Sequence, residues 1–202
     1  MDFAALKNEL ADRGFAHLNS VRQGQYINWA RAEMDETALW PYRITTATGA
    51  APLTITDLGT IETVIDTANS NNPLSPMDFS DLIKYFKTLS TVGAASYYYL
   101  ASSTSVAVYP TTATLSVRYY KIPADLSASS DTPLSPTRWH RLIVDIATRM
   151  AYRDNDNHAA AEAINAQIER DKQLMLNSLM VVQTEPTFLR QVGDVDRGGQ
   201  NP

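Results

Sequence analysis

Residues Arg118–Ala147 read RYYKIPADLSASSDTPLSPTRWHRLIVDIA, and the apolar period changes within them. Upstream of Pro123, Leu115, Val117 and Tyr119 alternate with Thr114, Ser116 and Arg118. That is the two-residue repeat of a strand with one buried face. Downstream of Pro136, Trp139, Leu142, Ile143, Ile146, Ala147 and Met150 recur at helical spacing. The stretch therefore joins a sheet to a helical layer through a proline-punctuated loop. It sets the fold class as α+β: a helical bundle, made of N-terminal helices and a long C-terminal helical hairpin, with an inserted antiparallel β-sandwich-like region and an extended C-terminal tail.

Working outward gives four segments. Residues 1–41 hold two helices. Phe3, Leu6 and Leu10 line the first, and Gly14 suits the positive φ that ends it. Tyr26, Ala30, Met34 and Ala38 line the second, which Pro41 should stop at Trp40. Residues 42–122 read as strands, with Leu53 and Ile55, then Ile61, Thr63 and Ile65, alternating with polar neighbours. A short helix near 76–90 interrupts them. Ser75 suits its N-cap, Pro76 its first turn, and Leu82, Tyr85, Phe86 and Leu89 its buried face. Leu134-Ser135-Pro136 repeats that capping chemistry. Residues 123–180 are the loop and a hairpin of two helices, split by the polar turn Asp154-Asn155-Asp156-Asn157. Ala161, Ile164, Ile168, Met175 and Leu179 form one stripe of the second helix. Residues 181–202 have no steady period and form the tail, which still carries Phe188, Leu189, Val192 and Val195.

Composition narrows the chemistry. The chain has 202 residues, no cysteine and a formal charge of -5. Disulfides, thiolate ligands and cysteine nucleophiles are excluded, and the acidic balance argues against a protein that grips DNA generally. No apolar run approaches the ~20 residues that span a bilayer. The N-terminus lacks the basic and apolar regions of a signal peptide, so a soluble protein made in the cytoplasm is expected.

The three histidines, His17, His140 and His158, lack the i, i+4 spacing of a zinc helix. The Asp154–Asn157 run lacks the glycine and glutamate of a calcium loop, with Ala159 and Asn165 at those positions. No nucleophile elbow, phosphate-binding loop or dinucleotide motif occurs. Asp145 reads as a solvated helix position and His140 as a hydrogen-bond partner for a loop carbonyl. No catalytic, cofactor or metal residue is assigned, and the chain reads as a non-enzyme. A carboxylate pair from distant segments stays open as an enzymatic reading.

Tyr97-Tyr98-Tyr99, Tyr109 and Tyr119-Tyr120 leave another alternative, a β-sandwich module that binds carbohydrate by ring stacking. An exposed aromatic row would favour it. Buried tyrosines engaged in packing would count against it.

The motif R-Y-Y-K-x-P-x-x-L, then D-T-P-L-x-P-x-x-W-H-x-x-I, resembles the head-to-tail adaptor (connector or head-completion) proteins of tailed bacteriophages. Tyr26-Ile27-Asn28-Trp29-Ala30 with Trp40-Pro41, and Gly93–Tyr99 with Val106–Pro110, resemble preceding parts of that family in order. The resemblance spans about residues 18–180. It implies a structural protein of the virion neck, made in the host cytoplasm. Such a protein forms a homo-oligomeric ring, usually twelvefold, beneath the portal protein. It extends the DNA channel without sequence-specific binding, retains packaged DNA and docks the next tail or neck protein. It needs no cofactor and no membrane. Phe188, Leu189, Val192 and Val195 would then bind the portal. Tyr119, Pro123, Pro136, Trp139 and His140 would form a junction that fixes the angle between sheet and helices.

Overall fold

The computed structural model describes residues 1–69, 71–86, 94–110 and 113–183. Among these residues five helices and two four-stranded sheets form a mixed α+β arrangement. Helix α1 (Phe3–Leu10) opens at Asp2, whose carboxylate accepts the Ala5 N–H at 2.8 Å, and it buries Phe3, Leu6 and Leu10. A wider helical turn follows over Ala11–Phe15, where Gly14 takes φ 103°. No side-chain-bearing residue adopts that angle without strain.

Helix α2 (Ser20–Glu36) opens at Asn19, which accepts the Arg22 N–H at 2.8 Å. Tyr26, Ile27, Ala30 and Met34 are buried. The helix ends four residues before the Trp40 stop expected from Pro41. Met34 carbonyl collects the Thr37 hydroxyl at 2.7 Å and the Trp40 indole N–H at 3.0 Å. These donors satisfy the helix terminus locally. Trp40 is then extended, as a residue before proline should be.

The strands are β1 (Ile44–Ala50), β2 (Leu53–Thr54), β3 (Leu58–Asp66), β4 (Asn72–Pro73), β5 (Ser75–Pro76), β6 (Tyr97–Ser102), β7 (Ser105–Tyr109) and β8 (Thr114–Lys121). One sheet has the order β1-β8-β3-β4 and the other β2-β7-β6-β5. Every pairing is antiparallel except β5 with β6, which departs from the all-antiparallel expectation. Leu115, Val117 and Tyr119 of β8 face inward as their alternation requires. The alternation in β3 does not carry through. Register shifts against β8 lie between Leu58 and Thr63, so Val64 and Asp66 are buried while Ile61 and Ile65 are half-buried.

Gly59 sits in that irregularity, where an added Cβ would lie 2.4 Å from the Tyr120 carbonyl oxygen. Backbone cannot yield as a flexible side chain does. Gly59→Ala should therefore cost about 1.5 kcal/mol. A chemical denaturation midpoint equal to that of the parent protein would contradict this.

Ser75 and Pro76 are strand rather than helix start. The Ser75 and Met77 N–H groups donate to the Ser96 and Tyr98 carbonyls at 3.1 and 2.9 Å. Helix α3 (Phe79–Tyr85) begins later because Asp78 caps it, accepting the Ser80 N–H at 2.8 Å. Only Leu82 of α3 is buried, and Tyr85 is 75% exposed rather than inward. Leu89 lies outside the described residues. Ser135 does not cap either: its hydroxyl is buried without a partner. The chain after Pro136 takes a 3₁₀ turn, Thr137–Trp139, before α4 (His140–Asp154).

Helix α5 (His158–Gln183) follows the polar turn, in which Asp156 takes φ 56°. Arg153 pairs with Glu162, and Arg149 with Asn165, so α5 runs antiparallel to α4. Asp145 is not solvated: it is buried and salt-bridged to Arg13. Two apolar clusters result. One holds Leu6, Ile27, Met34, Ile143, Ile146, Ile168 and Met175 from the helices. The other holds Val64, Val106, Val108, Leu115 and Val117 from both sheets.

Candidate functional site

The segment between β8 and α4 links the sheet region to the helices, and α2 grips that segment with polar side chains. Asn28 makes a two-point contact with the backbone of one residue, Leu126. Its amide donates to the Leu126 carbonyl at 3.1 Å, and its oxygen accepts the Leu126 N–H at 2.9 Å. One turn on, the Arg31 guanidinium donates to the Ala124 carbonyl and to Asp125 at 3.1 Å. Arg31 is 4% exposed, and its Nε is buried without a partner. Leu126 itself enters the helical cluster. The first N–H groups of α1, which no intrahelical carbonyl serves, are satisfied by the same segment. Phe3 donates to Asp131 carbonyl at 2.7 Å and Ala4 to Ser129 carbonyl at 3.1 Å.

A second tie runs through Arg43. Its Nε donates to the Lys121 carbonyl of β8 at 3.0 Å and its Nη1 to the Asp35 carbonyl of α2 at 2.8 Å. One guanidinium thus spans the sheet and the helices. Tyr42 donates its hydroxyl to the Asp35 carboxylate at 2.8 Å and stacks on Trp40 at 6.0 Å between ring centroids. Burial pushes the Asp35 carboxyl above its ordinary pKa, against the pull of Tyr42, Arg43 and Arg31.

A cleft of about 620 Å³ opens beside this clamp, lined in part by Asp57, Lys121, Asp125 and Asp131. Its carboxylates all serve the structure. Asp57 accepts the Tyr119 hydroxyl at 2.7 Å, and burial, helped by this bond, pushes the Tyr119 pKa up to about 12. Asp125 pairs with Arg31. Asp131 accepts the Ser127 and Ala128 N–H groups at 2.7 and 2.8 Å, and these bonds hold its pKa below the usual carboxylate value. Among the described residues no three histidine or acidic side chains converge as a metal site. No helix among them is long and apolar enough to cross a membrane.

The tyrosines are engaged in packing. Tyr109 and Tyr119 are buried and Tyr97, Tyr98, Tyr99 and Tyr120 half-buried. Phe86 packs on Tyr109 at 4.5 Å, and Phe79 on Tyr99 at 5.2 Å. No exposed aromatic row forms among them.

A family model described as SU10 adaptor protein matches residues 1–190. The chain belongs to this family. It is a family of phage head–tail adaptors, structural proteins of the virion. No curated protein matches the chain.

Of the residues singled out by sequence, Tyr119 lies in β8, Pro123 and Pro136 lie in the segment between β8 and α4, Trp139 ends the 3₁₀ turn and His140 begins α4. Tyr119 is buried in the sheet cluster and Trp139 packs against the helical cluster. Phe188, Leu189, Val192 and Val195 lie outside the described residues. Sequence reading missed Asn28, Arg31, Asp35 and Arg43. A signal for two of them existed: Arg31 and Asp35 continue the four-residue spacing of Gln23 and Ile27 along a buried stripe. Charges in phase with a core stripe ask for partners.

His140 bonds a loop carbonyl as its position suggested. Its Nε2 donates to Ser135 carbonyl at 2.9 Å, which leaves Nδ1 to accept from the Met1 ammonium at 2.8 Å. Burial, with that ammonium, lowers the His140 pKa. The unfolded chain then takes up the proton first. Stability should fall as pH drops below about 6.5 and level off once the folded form also protonates. His140→Asn should flatten this step. Thermal melts of both proteins between neutral and mildly acidic pH read the difference. Parallel curves would rule the assignment out.

Proposed function

We propose that this adaptor works in the phage neck as a ring-forming coupling, twelvefold, placed under the portal. It extends the DNA channel and docks the next tail or neck protein. The family match over residues 1–190 carries this reading. The clamp of Asn28, Arg31 and Arg43 supports it mechanically. In this reading the helices form a bundle that packs on neighbouring copies and on the portal. The two sheets form a sandwich-like module facing the tail. Residues 1–41 and 123–180 build the first and residues 42–122 the second. A coupling needs two bodies that each keep their shape and a connection that holds their angle. Tyr119, Pro123, Pro136, Trp139 and His140, with the α2 side chains, supply that connection. Ring neighbours meet heterologously on two sides, which requires surface rather than catalytic machinery. The net charge of -5 suits a channel through which DNA passes without fixed phosphate contacts.

Phe188, Leu189, Val192 and Val195 are assigned to the portal contact. Truncation after Met180 removes Val181–Pro202. It should leave the thermal melt nearly unchanged and abolish cosedimentation with portal-bearing capsids. Retained attachment would overturn the assignment.

A further inference from the structure

The four outer strands of the two sheets are treated unequally. An unpaired strand edge is a template for another chain, and proteins blunt such edges with proline, charge or short length. β4 is two residues long and contains Pro73; β5 is two residues long and contains Pro76. β2 is two residues long and directly follows Pro52. β1 has none of these devices. Its seven residues, ITTATGA, hold no proline and no charge, and β8 is its one described neighbour. Ile44, Thr45, Thr46 and Thr48 are β-branched, the residue type that suits strands.

We propose that β1 is a self-recognition edge, through which two copies of the free protein pair their β1 strands antiparallel about a two-fold axis at Ala47. Among the described strands of a second copy, only β1 offers an unguarded edge of useful length, so that is the occupant. The charge pattern agrees. A two-fold axis at Ala47 sets β1 against itself, and because β1 carries no charge no like-charged or unpaired ionised side chains face each other across the edge. Pairing about Ala47 sets Thr46 against the other copy's Thr48, Thr45 against Gly49, and Ile44 against Ala50. All seven residues are then used. Thr46, Thr48 and Ala50 are exposed, while Ala47 packs on the sheet cluster, so the pairing leaves each core intact. A two-fold contact does not propagate around a ring, so the dimer belongs to the unassembled protein and conceals the edge until assembly. This inference stands apart from the adaptor reading, because its failure leaves the family assignment untouched.

Sedimentation velocity of the full chain, over a concentration series, tests it. The parent protein should show a reversible monomer–dimer equilibrium. Thr46→Lys with Thr48→Lys places like charges opposite each other twice and should raise the dissociation constant about tenfold or more. Thr46→Lys with Thr48→Glu places Lys against Glu at the same two points and should restore dimerisation. Far-UV circular dichroism should match across all three proteins, which shows that the fold is kept. A monomer at every concentration overturns the proposal. So does an unchanged dissociation constant in the double-lysine variant, or equal loss in the lysine–glutamate variant.

Discussion

Glu33→Gln is expected to destabilise the adaptor by about 3 kcal/mol, the low end for removing one partner of a buried ion pair. Glu33 lies on α2 and accepts two bonds from Arg149 of α4, at 2.6 and 2.5 Å, and one from Lys172 of α5 at 2.7 Å. One carboxylate therefore ties three helices. The two cations depend on it heavily. The Arg149 side chain is 8% exposed and that of Lys172 13%, and Arg149 Nε already lacks a partner. Glutamine keeps the shape but leaves both cations without their shared counter-charge. Glu33 itself is 29% exposed, which admits some water and sets the low end of the range. For a chain of this length the melting temperature should fall by about 6–12 °C. The pH dependence is a second readout. Burial works to raise the Glu33 pKa, but the bonds from Lys172 and Arg149 outweigh it and the pKa lies below the ordinary value. The contribution is thus complete above about pH 4.3 and is lost as pH falls through the folded value. Parent and variant melts should diverge near neutrality and converge in acid. A neutral-pH difference under about 0.5 kcal/mol, the scatter of ordinary surface substitutions, would refute the tie.

That tie was not legible in the sequence, and the reason is general. Apolar periodicity locates faces, so the stripes through Tyr26 and Met34, through Ile143 and Ile146, and through Ala161 and Ile168 were all readable, and each is buried. Leu115, Val117 and Tyr119 were readable for the same reason. Polar pairs depend on which helices meet, and sequence spacing does not encode a contact between residues 33, 149 and 172. Asp145 shows the cost: its helical position reads as solvated until Arg13 packs over it. Local chemistry misled in a different way. Leu74-Ser75-Pro76 has sound capping residues, yet the sheet takes its backbone donors and Asp78 caps α3 instead. In β3 the register shifts against β8 turn Ile65 away from the core, and regular alternation cannot foresee them. The junction was visible as a change of period, but its clamp was not. Asn28 and Arg31 act on residues almost a hundred positions away.

Arg31→Met should separate the mechanical role of the clamp from the stability of the bodies it joins. Methionine keeps most of the buried stem, so packing changes little. The guanidinium bonds to the Ala124 carbonyl and Asp125 disappear. Asp125 is 79% exposed, so its half of the loss is small. The larger part is the loss of the part-buried bond from Arg31 to the Ala124 carbonyl, partly offset because no charge is buried any longer. A net cost of about 2 kcal/mol follows. It should be local. Amide exchange should accelerate over Ala124–Asp131, while the amides of α4 and of β8 keep their protection. Adding Asn28→Ala should cost less than the sum of the two single changes, because both side chains hold one loop. In a phage complementation assay the double variant should fold and join heads yet lower the fraction of heads that acquire tails, since the angle between helices and sheets is no longer held. Unchanged exchange over Ala124–Asp131 would show that Arg31 fills space rather than clamps. Accelerated exchange with normal tail attachment would show that the angle does not govern docking.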